Sequence, residues 1–248
     1  MTAAGHTDTG PVRSANEDHW HADVTQGLFI VADGMGGHQA GEVAAHLAVA
    51  EVVADLTASA TSSFTWPLGR DRAEPLERNR VTHALRRANG AVYAAGSADP
   101  ALSGMGTTLT VLQLDGGHGV IGSVGDSRAY LVRGPHVELL THDDTWLASV
   151  LGADGARDAA ARSHPMRHVL TSVIGGREPV QPEVIALEVL PGDILVLASD
   201  GLHNVVDEAT IGQAVGGGVE PEAAAQALVA AAIGRGTTDN VTVVVVHA

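Results

Sequence analysis

The chain contains no cysteine. Disulfides, zinc–thiolate sites and a thiol nucleophile are therefore excluded. Positive charge is scarce: 14 Lys and Arg stand against 29 Asp and Glu, for a net charge of −15. Phosphate backbones recruit basic faces, so a nucleic-acid partner is disfavoured, and a two-metal nuclease with it. No run reaches the length of a membrane span, and the longest strongly apolar stretch, Val241 to Val246, is strand-sized. Met1 to Val12 is polar and lacks the apolar core of a signal peptide, so no membrane partner and a cytoplasmic location are expected.

What is present suits a folded enzyme. Hydrophobic residues make up 45% of the 248 positions and charged residues 17%, enough to bury a sizeable core. Thirty glycines supply tight turns. Leu28–Ala32 reads as a buried strand. Gln39–Leu56 reads as a helix with Val43, Leu47, Ala50 and Ala54 as its apolar stripe, and Ala58–Arg70 as a loop. Pro75 opens a second helix with the stripe Val81, Leu85, Ala88 and Val92. Thr107–Leu114 and Gly119–Val124 form a hairpin around Asp115-Gly116-Gly117, and Ser127–Val132 pairs with Val137–Leu140. Pro182–Val189 and Asp193–Ala198 are expected to pair around Pro191-Gly192. Pro221–Ile233 is a further helix and Asn240–Val246 the last strand. Helices grouped between runs of hairpin-linked strands indicate an α+β layered fold without βαβ repeats. No linker divides residues 1–248, so one domain is expected.

The chemistry concentrates at strand ends. Leu28–Ala32 runs into Asp33-Gly34, and Ile194–Ser199 into Asp200-Gly201. Each Asp-Gly alone is an ordinary turn dipeptide. Gly125-Asp126 and Asp239 repeat the pattern, however, and Glu17-Asp18 adds adjacent acids. Carboxylates massed at one end of a fold repel one another unless a cation neutralises them. Oxygen donors without a His–Cys cluster favour magnesium or manganese. Two such ions sharing a carboxylate, roughly 3.5–4 Å apart, activate water for attack on phosphorus. Arg13, four residues before Glu17, is a candidate clamp for a phosphate.

Six segments, Gly10–Asp18, Val31–His38, Gly104–Leu109, Gly122–Tyr130, Leu197–Leu202 and Thr238–Thr242, stand in the order found in the metal-dependent (type 2C) serine/threonine protein phosphatases. The chain resembles the compact bacterial form of that family over nearly its whole length. The resemblance implies a two-layer antiparallel β-sandwich flanked by helices (four layers, αββα), with the metal centre at one end and a flap insertion at approximately 142–172. It implies that Asp33 bridges two Mn2+ or Mg2+ ions. Asp200 and Asp239 hold the first, while the Gly34 carbonyl and Glu17 serve the second. Asp18 is implied to orient metal waters from the outer shell. Asp126 with Asp200 matches the position of a third ion, which His168 of the flap is placed to reach. Arg13 is implied to bind the substrate phosphate, and a metal-bridging water to attack it with no phosphoenzyme.

One position departs from animal-type members, which carry His after the metal-binding Asp-Gly. Met35 stands there, and a thioether donates no proton. His38 is a candidate general acid, alongside its reading as an exposed residue at a helix start and alongside a metal-bound water as proton donor. Pro165 between His164 and His168 argues against a helical zinc pair. The expected partners are phosphorylated proteins, substrates of serine/threonine kinases, met by a monomer. Two narrower readings stand beside this: a phosphatase dedicated to an anti-sigma-antagonist-type partner, and a binding-only pseudophosphatase. The second would be expected to have lost metal carboxylates, and none is missing.

Overall fold

A computed structural model describes residues 1–36, 40–60, 71, 73–157 and 164–248. Alternation along the strands sets the architecture. On strand β3 (Leu28–Met35), Leu28, Ile30 and Ala32 pack under helices, while Phe29 and Val31 point the other way into a second sheet. Successive residues of a strand face opposite sides, so a run apolar on both faces must be covered on both. The last strand, β11 (Val241–His247), repeats the device: Val241, Val243 and Val245 meet helices, and Val244 and Val246 meet the opposite sheet.

Two antiparallel sheets result. One has the order β1-β11-β10-β7-β8, built from β1 (Thr2–Asp8), β7 (Arg128–Arg133), β8 (His136–Leu139), β10 (Ile194–Ala198) and β11. The other has the order β2-β3-β5-β6-β9, with β2 (Asp18–Asp23), β5 (Leu109–Asp115), β6 (His118–Val124) and β9 (Glu183–Glu188); the two-residue β4 (Gly106–Thr107) pairs with the far end of β3. Helices α1 (Ala40–Ser59) and α2 (Leu76–Ala98) cover the outer face of the second sheet. Helices α5 (Glu208–Val215) and α6 (Pro221–Gly234) cover the first. The αββα layering is therefore as expected. Fully burying each Leu, Ile or Phe of these three apolar layers contributes about 1.5–3 kcal/mol.

Three expectations need correction. The stripe Val43, Leu47, Ala50 and Ala54 is not the face that α1 buries: Val43 is 38% exposed, and Ala44, Ala45, Ala48, Val49, Val52 and Leu56 are buried instead. Apolar residues run round this helix, so spacing alone selects no face, and the small Ala side chains are those that let it sit close to β3 and α2. The α2 stripe was read as it stands, with Val81, Leu85, Ala88 and Val92 all buried. β9 and β10 do not pair. They lie in different sheets, because the turn at Pro191-Gly192 carries the chain across the sandwich. Arg133 and the Leu190 N–H both donate to the buried Asp193 carboxylate at that crossing. β1, β2 and α5 were not foreseen; β1 and β2 are half-buried and polar, without an apolar run to mark them.

The segment expected as a flap carries α3 (Trp146–Arg157), broken by the positive φ of Gly152. It is tied down at both ends by bridges of Thr145 to Leu170 and of Thr107 to Ile174. Most of the expected 58–70 loop lies outside the described residues, and α1 itself runs on to Ser59.

Candidate active site

Asp33 does not end its strand. β3 continues to Met35 by pairing Gly34 with Thr107, and Asp33 stands directly opposite Asp18 of β2. The backbone of Asp33 is pinned from one side: its N–H donates to Thr108 Oγ1 (3.0 Å), and its carbonyl accepts from the Thr108 N–H (2.9 Å) and Thr107 Oγ1 (2.9 Å). Gly34 has to lack a side chain, because a Cβ there would strike the Gly41 carbonyl of α1 and the Glu17 carbonyl. Asp200 opens the short helix α4 (Asp200–His203), which follows β10 directly. Gly201 is more than a turn residue, since a Cβ would collide with the Asn240 carbonyl at the start of β11. The two Asp-Gly steps are thus sites of close backbone approach.

Polar side chains that the sequence reading had left without roles tie these pieces together. Ser199 Oγ donates to Asp18 Oδ2 (2.8 Å) and accepts from the Thr242 N–H (2.9 Å). Asn240 accepts from the Glu17 N–H (2.9 Å) and donates to the carbonyls of Thr9 and Ala15 (2.8 and 2.9 Å). Asn204 donates to Asp200 Oδ2 (3.0 Å). Thr108, Ser199 and Asn240 sit inside the quoted motif segments, which is the signal that could have found them.

Arg13, Glu17, Asp33, Gly34, Asp126, His168, Asp200 and Asp239 line one cavity of about 440 Å³. Asp18 is not on its wall; it lies behind, only 6% exposed. Arg13 Nη2 donates to Asp239 Oδ2 at 2.7 Å, with 50% and 32% of the two side chains exposed. His168 of the flap reaches to 3.8 Å from Asp200 Oδ2, an ion-pair distance too long for a hydrogen bond. His38 lies outside the described residues. Met35 also lines the cavity.

The electrostatics of this wall are unfavourable as it stands. Burial, with the charges of Asp18, Asp200, Asp126 and Asp239, pushes Asp33 well above the usual carboxylate range. Burial and Asp200 do the same to Asp126. Burial raises Asp18 to about 7 despite the Ser199 hydrogen bond, and burial with Asp239 raises Asp200 to about 6. Burial also raises Glu17, against the pull of Arg13. Glu17 Oε1, Asp18 Oδ1 and Asp200 Oδ1 are buried without a hydrogen-bond partner. Acceptor-only oxygens left bare beside mutually repelling carboxylates fit a hard divalent cation, which supplies the missing positive charge and takes oxygen donors. Among the described residues, no group of three or more acidic or histidine side chains is already arranged to hold an ion.

The protein phosphatase 2C family model matches residues 11–231. The chain belongs to the protein phosphatase 2C family. Its 2C-type relatives include the serine/threonine protein phosphatase PstP of Mycobacterium tuberculosis, 37% identical over 244 residues, which are 98% of this chain but 44% of that protein. Protein phosphatase PhpP of Streptococcus pneumoniae is 31% identical over 243 residues, 97% of this chain and 94% of PhpP. The chain therefore spans less than half of mycobacterial PstP and nearly all of PhpP. Among solved 2C structures, the PstP catalytic domain in complex with two manganese ions superposes with a TM-score of 0.82 at 34% identity, covering 98% of this chain and 96% of that one. Among the described residues of this 2C chain, no helix is long and apolar enough to cross a membrane.

Proposed function

We propose that this chain hydrolyses phosphoserine and phosphothreonine in proteins, with Mn2+ or Mg2+ held by the carboxylate cavity. The observation that carries the reading is the pair of buried, partnerless carboxylate oxygens of Glu17 and Asp200 beside Arg13 on the wall of one cavity. The relative's structure holds two manganese ions, and here Asp33 would serve as a ligand for such ions. Asp200 and Asp239 would complete the first site, and Glu17 with the Gly34 carbonyl the second. Asp126, Asp200 and His168 surround the place for a third. When bound, the ions supply an activated water nucleophile and neutralise the charge that develops on phosphorus oxygens.

The protein's own residues supply position. Asp18, fixed by Ser199 behind the wall, orients groups in front of it. Arg13 donates a single hydrogen bond to Asp239 here, and its planar donor set fits two phosphate oxygens once Asp239 turns to its ligand role. His168 is a poor proton store, since burial and Arg167 lower its pKa below the usual imidazole range. Met35 has no proton to give. The leaving alkoxide would therefore take its proton from His38 or from a water at the metal site. With no cysteine in the chain, no thiol phosphoenzyme forms. The partners are phosphoproteins, and the cytoplasmic setting and monomeric state form part of the same proposal.

The test is hydrolysis of an aryl phosphate and a phosphothreonine peptide by the full chain, with Mn2+ and with a chelator. Turnover of both substrates that chelation abolishes is expected. Turnover that persists without metal overturns the reading.

A further inference from the structure

A second cavity, of about 870 Å³, opens beside the catalytic one and shares two walls with it: Met35 and Val173 line both. From there it runs over Met105 and Gly104 to Tyr93 on α2, near the C-terminal end of that helix. Among the described residues, no charged one lines it. Its side-chain polar groups are the hydroxyls of Tyr93, Ser97 and Ser103. In a chain of net charge −15 this is an unusual stretch of wall. On the opposite flank, a cavity of about 450 Å³ shares Asp126 and His168 with the catalytic one and is lined by Arg128, Asp143, Arg167, Asp207 and Glu208. Of these two cavities adjoining the centre, one is thus neutral and the other charged.

The walls of the neutral cavity suit an apolar guest. The chain has two tyrosines; Tyr130 is buried, and Tyr93, 41% exposed, stands at this rim. An exposed aromatic ring offers large contact area with little entropy to lose. Met35 and Met105 are unbranched and adapt their shape to what they touch. Gly104 has open space where a side chain would be, so the rim stays low between the methionines and solvent.

We propose that this groove binds an apolar side chain of the phosphoprotein substrate, next to the phosphorylated serine or threonine, and sets a preference for such residues over acidic ones. The proposal rests on the phosphatase reading above. Continuity with the catalytic cavity names the occupant: Met35 and Val173 are walls of both, so a residue next to a phosphate held at the carboxylates has this groove within reach. An acidic side chain entering the uncharged side would lose hydration and find no cation to replace it.

The experiment uses the full chain with Mn2+ and matched phosphothreonine peptides. They carry Leu, Ser, Lys or Glu at each flanking position in turn, with an aryl phosphate assayed in parallel. At one flanking position Leu should lower KM about ten-fold relative to Glu, a difference of about 1.4 kcal/mol. Tyr93→Ala should shrink that ratio to about two-fold or less. Ser97→Glu, an exposed helix position that tolerates substitution, should also reduce the preference for Leu and favour Lys in its place. Equal KM for all peptides, a preference for Glu, or a Leu preference untouched by both variants each overturns the groove. In those cases aryl phosphate turnover leaves the phosphatase reading standing. No turnover of any substrate overturns that reading and the groove together.

Discussion

Asp18 and Asp33 face each other on adjacent strands, Asp18 buried and Asp33 partly so, their backbones held by the ladder, whereas Arg13, Asp239 and His168 come from connecting segments and keep about a third to a half of their surface in solvent. The strand-held pair has almost no freedom to relieve its repulsion, and burial above all, with the charges of neighbouring carboxylates, raises both carboxyl pKa values. The loop-held group relieves its own, because Arg13 swings onto Asp239. A binding centre built from one rigid half and one adjustable half can hold cations in a fixed place and still admit phosphate groups of different parents.

Substitution at the rigid half should break this contrast most severely. Asp33→Asn is expected to lower kcat on the order of 10²–10³-fold or more, the scale seen when a group touching the reacting charge is removed. The metal-free fold should persist, and its thermal midpoint should stay or rise, since the amide carries no charge to desolvate. Steady-state kinetics with a thermal melt check both. A loss below about ten-fold would mean the rigid half is not where the chemistry is.

Arg13→Ala tests the adjustable half. The loss of charge-assisted hydrogen bonds of about 1.5–3 kcal/mol should cost roughly 10–100-fold in kcat/KM, mainly through KM. Unfolding stability should be nearly unchanged, because the Arg13–Asp239 pair is solvent-exposed. A smaller effect is expected for His168→Ala: a few-fold in Mn2+ affinity, read by titration calorimetry, at or below the low end of the about 10–100-fold usual for outer partners. An effect as large as that of Asp33→Asn would place the flap on the rigid side.

The gentlest probe is pH. Asp18 is raised to about 7 and Asp200 to about 6, above the unfolded range near 4. Between those values the folded state binds more protons than the unfolded. The stabilising contribution is complete below the unfolded pKa and is lost as pH rises through about 6 and 7. Metal-free protein should therefore lose urea stability from about pH 5 to about pH 8 relative to Asp18→Asn, in which one titration is absent. Saturating Mn2+ should reverse the slope, since it favours ionised carboxylates. An unchanged slope in Asp18→Asn would remove Asp18 from the account.

The regions legible in sequence are those where a single local pattern has one physical meaning. The apolar run of Leu28–Ala32 and the α2 stripe are of that kind, whereas the Asp-Gly steps read as turns and proved to be close backbone approaches. The α1 face was misread, because an Ala-rich helix offers several apolar stripes and only the neighbours choose among them. The false hairpin at Pro191-Gly192 has the same origin: a turn signal says that the chain reverses, not which sheet receives it. Of the site, the acids were legible and their supports were not. Ser199, Asn240 and Thr108 are small polar residues whose partners lie far along the chain, such as Ser199 to Asp18 and Asn240 to Glu17.

By itself the sequence determined which chemistry is open to this protein. The absence of cysteine, the excess of acid and the ordered motifs leave oxygen-ligated cations and phosphate, and the strand periodicity requires layers on both faces. The tertiary structure decided what the acids experience. Pairing β2 with β3 sets Asp18 against Asp33. Packing α4 on Asn240 brings in Asp200, and the flap closes one side of the cavity with His168. Desolvation and mutual repulsion exist only once these long-range contacts form, so no local reading of the chain contains them. The same packing leaves one flank charged and the other bare, a division that depends on which distant surfaces meet at the centre.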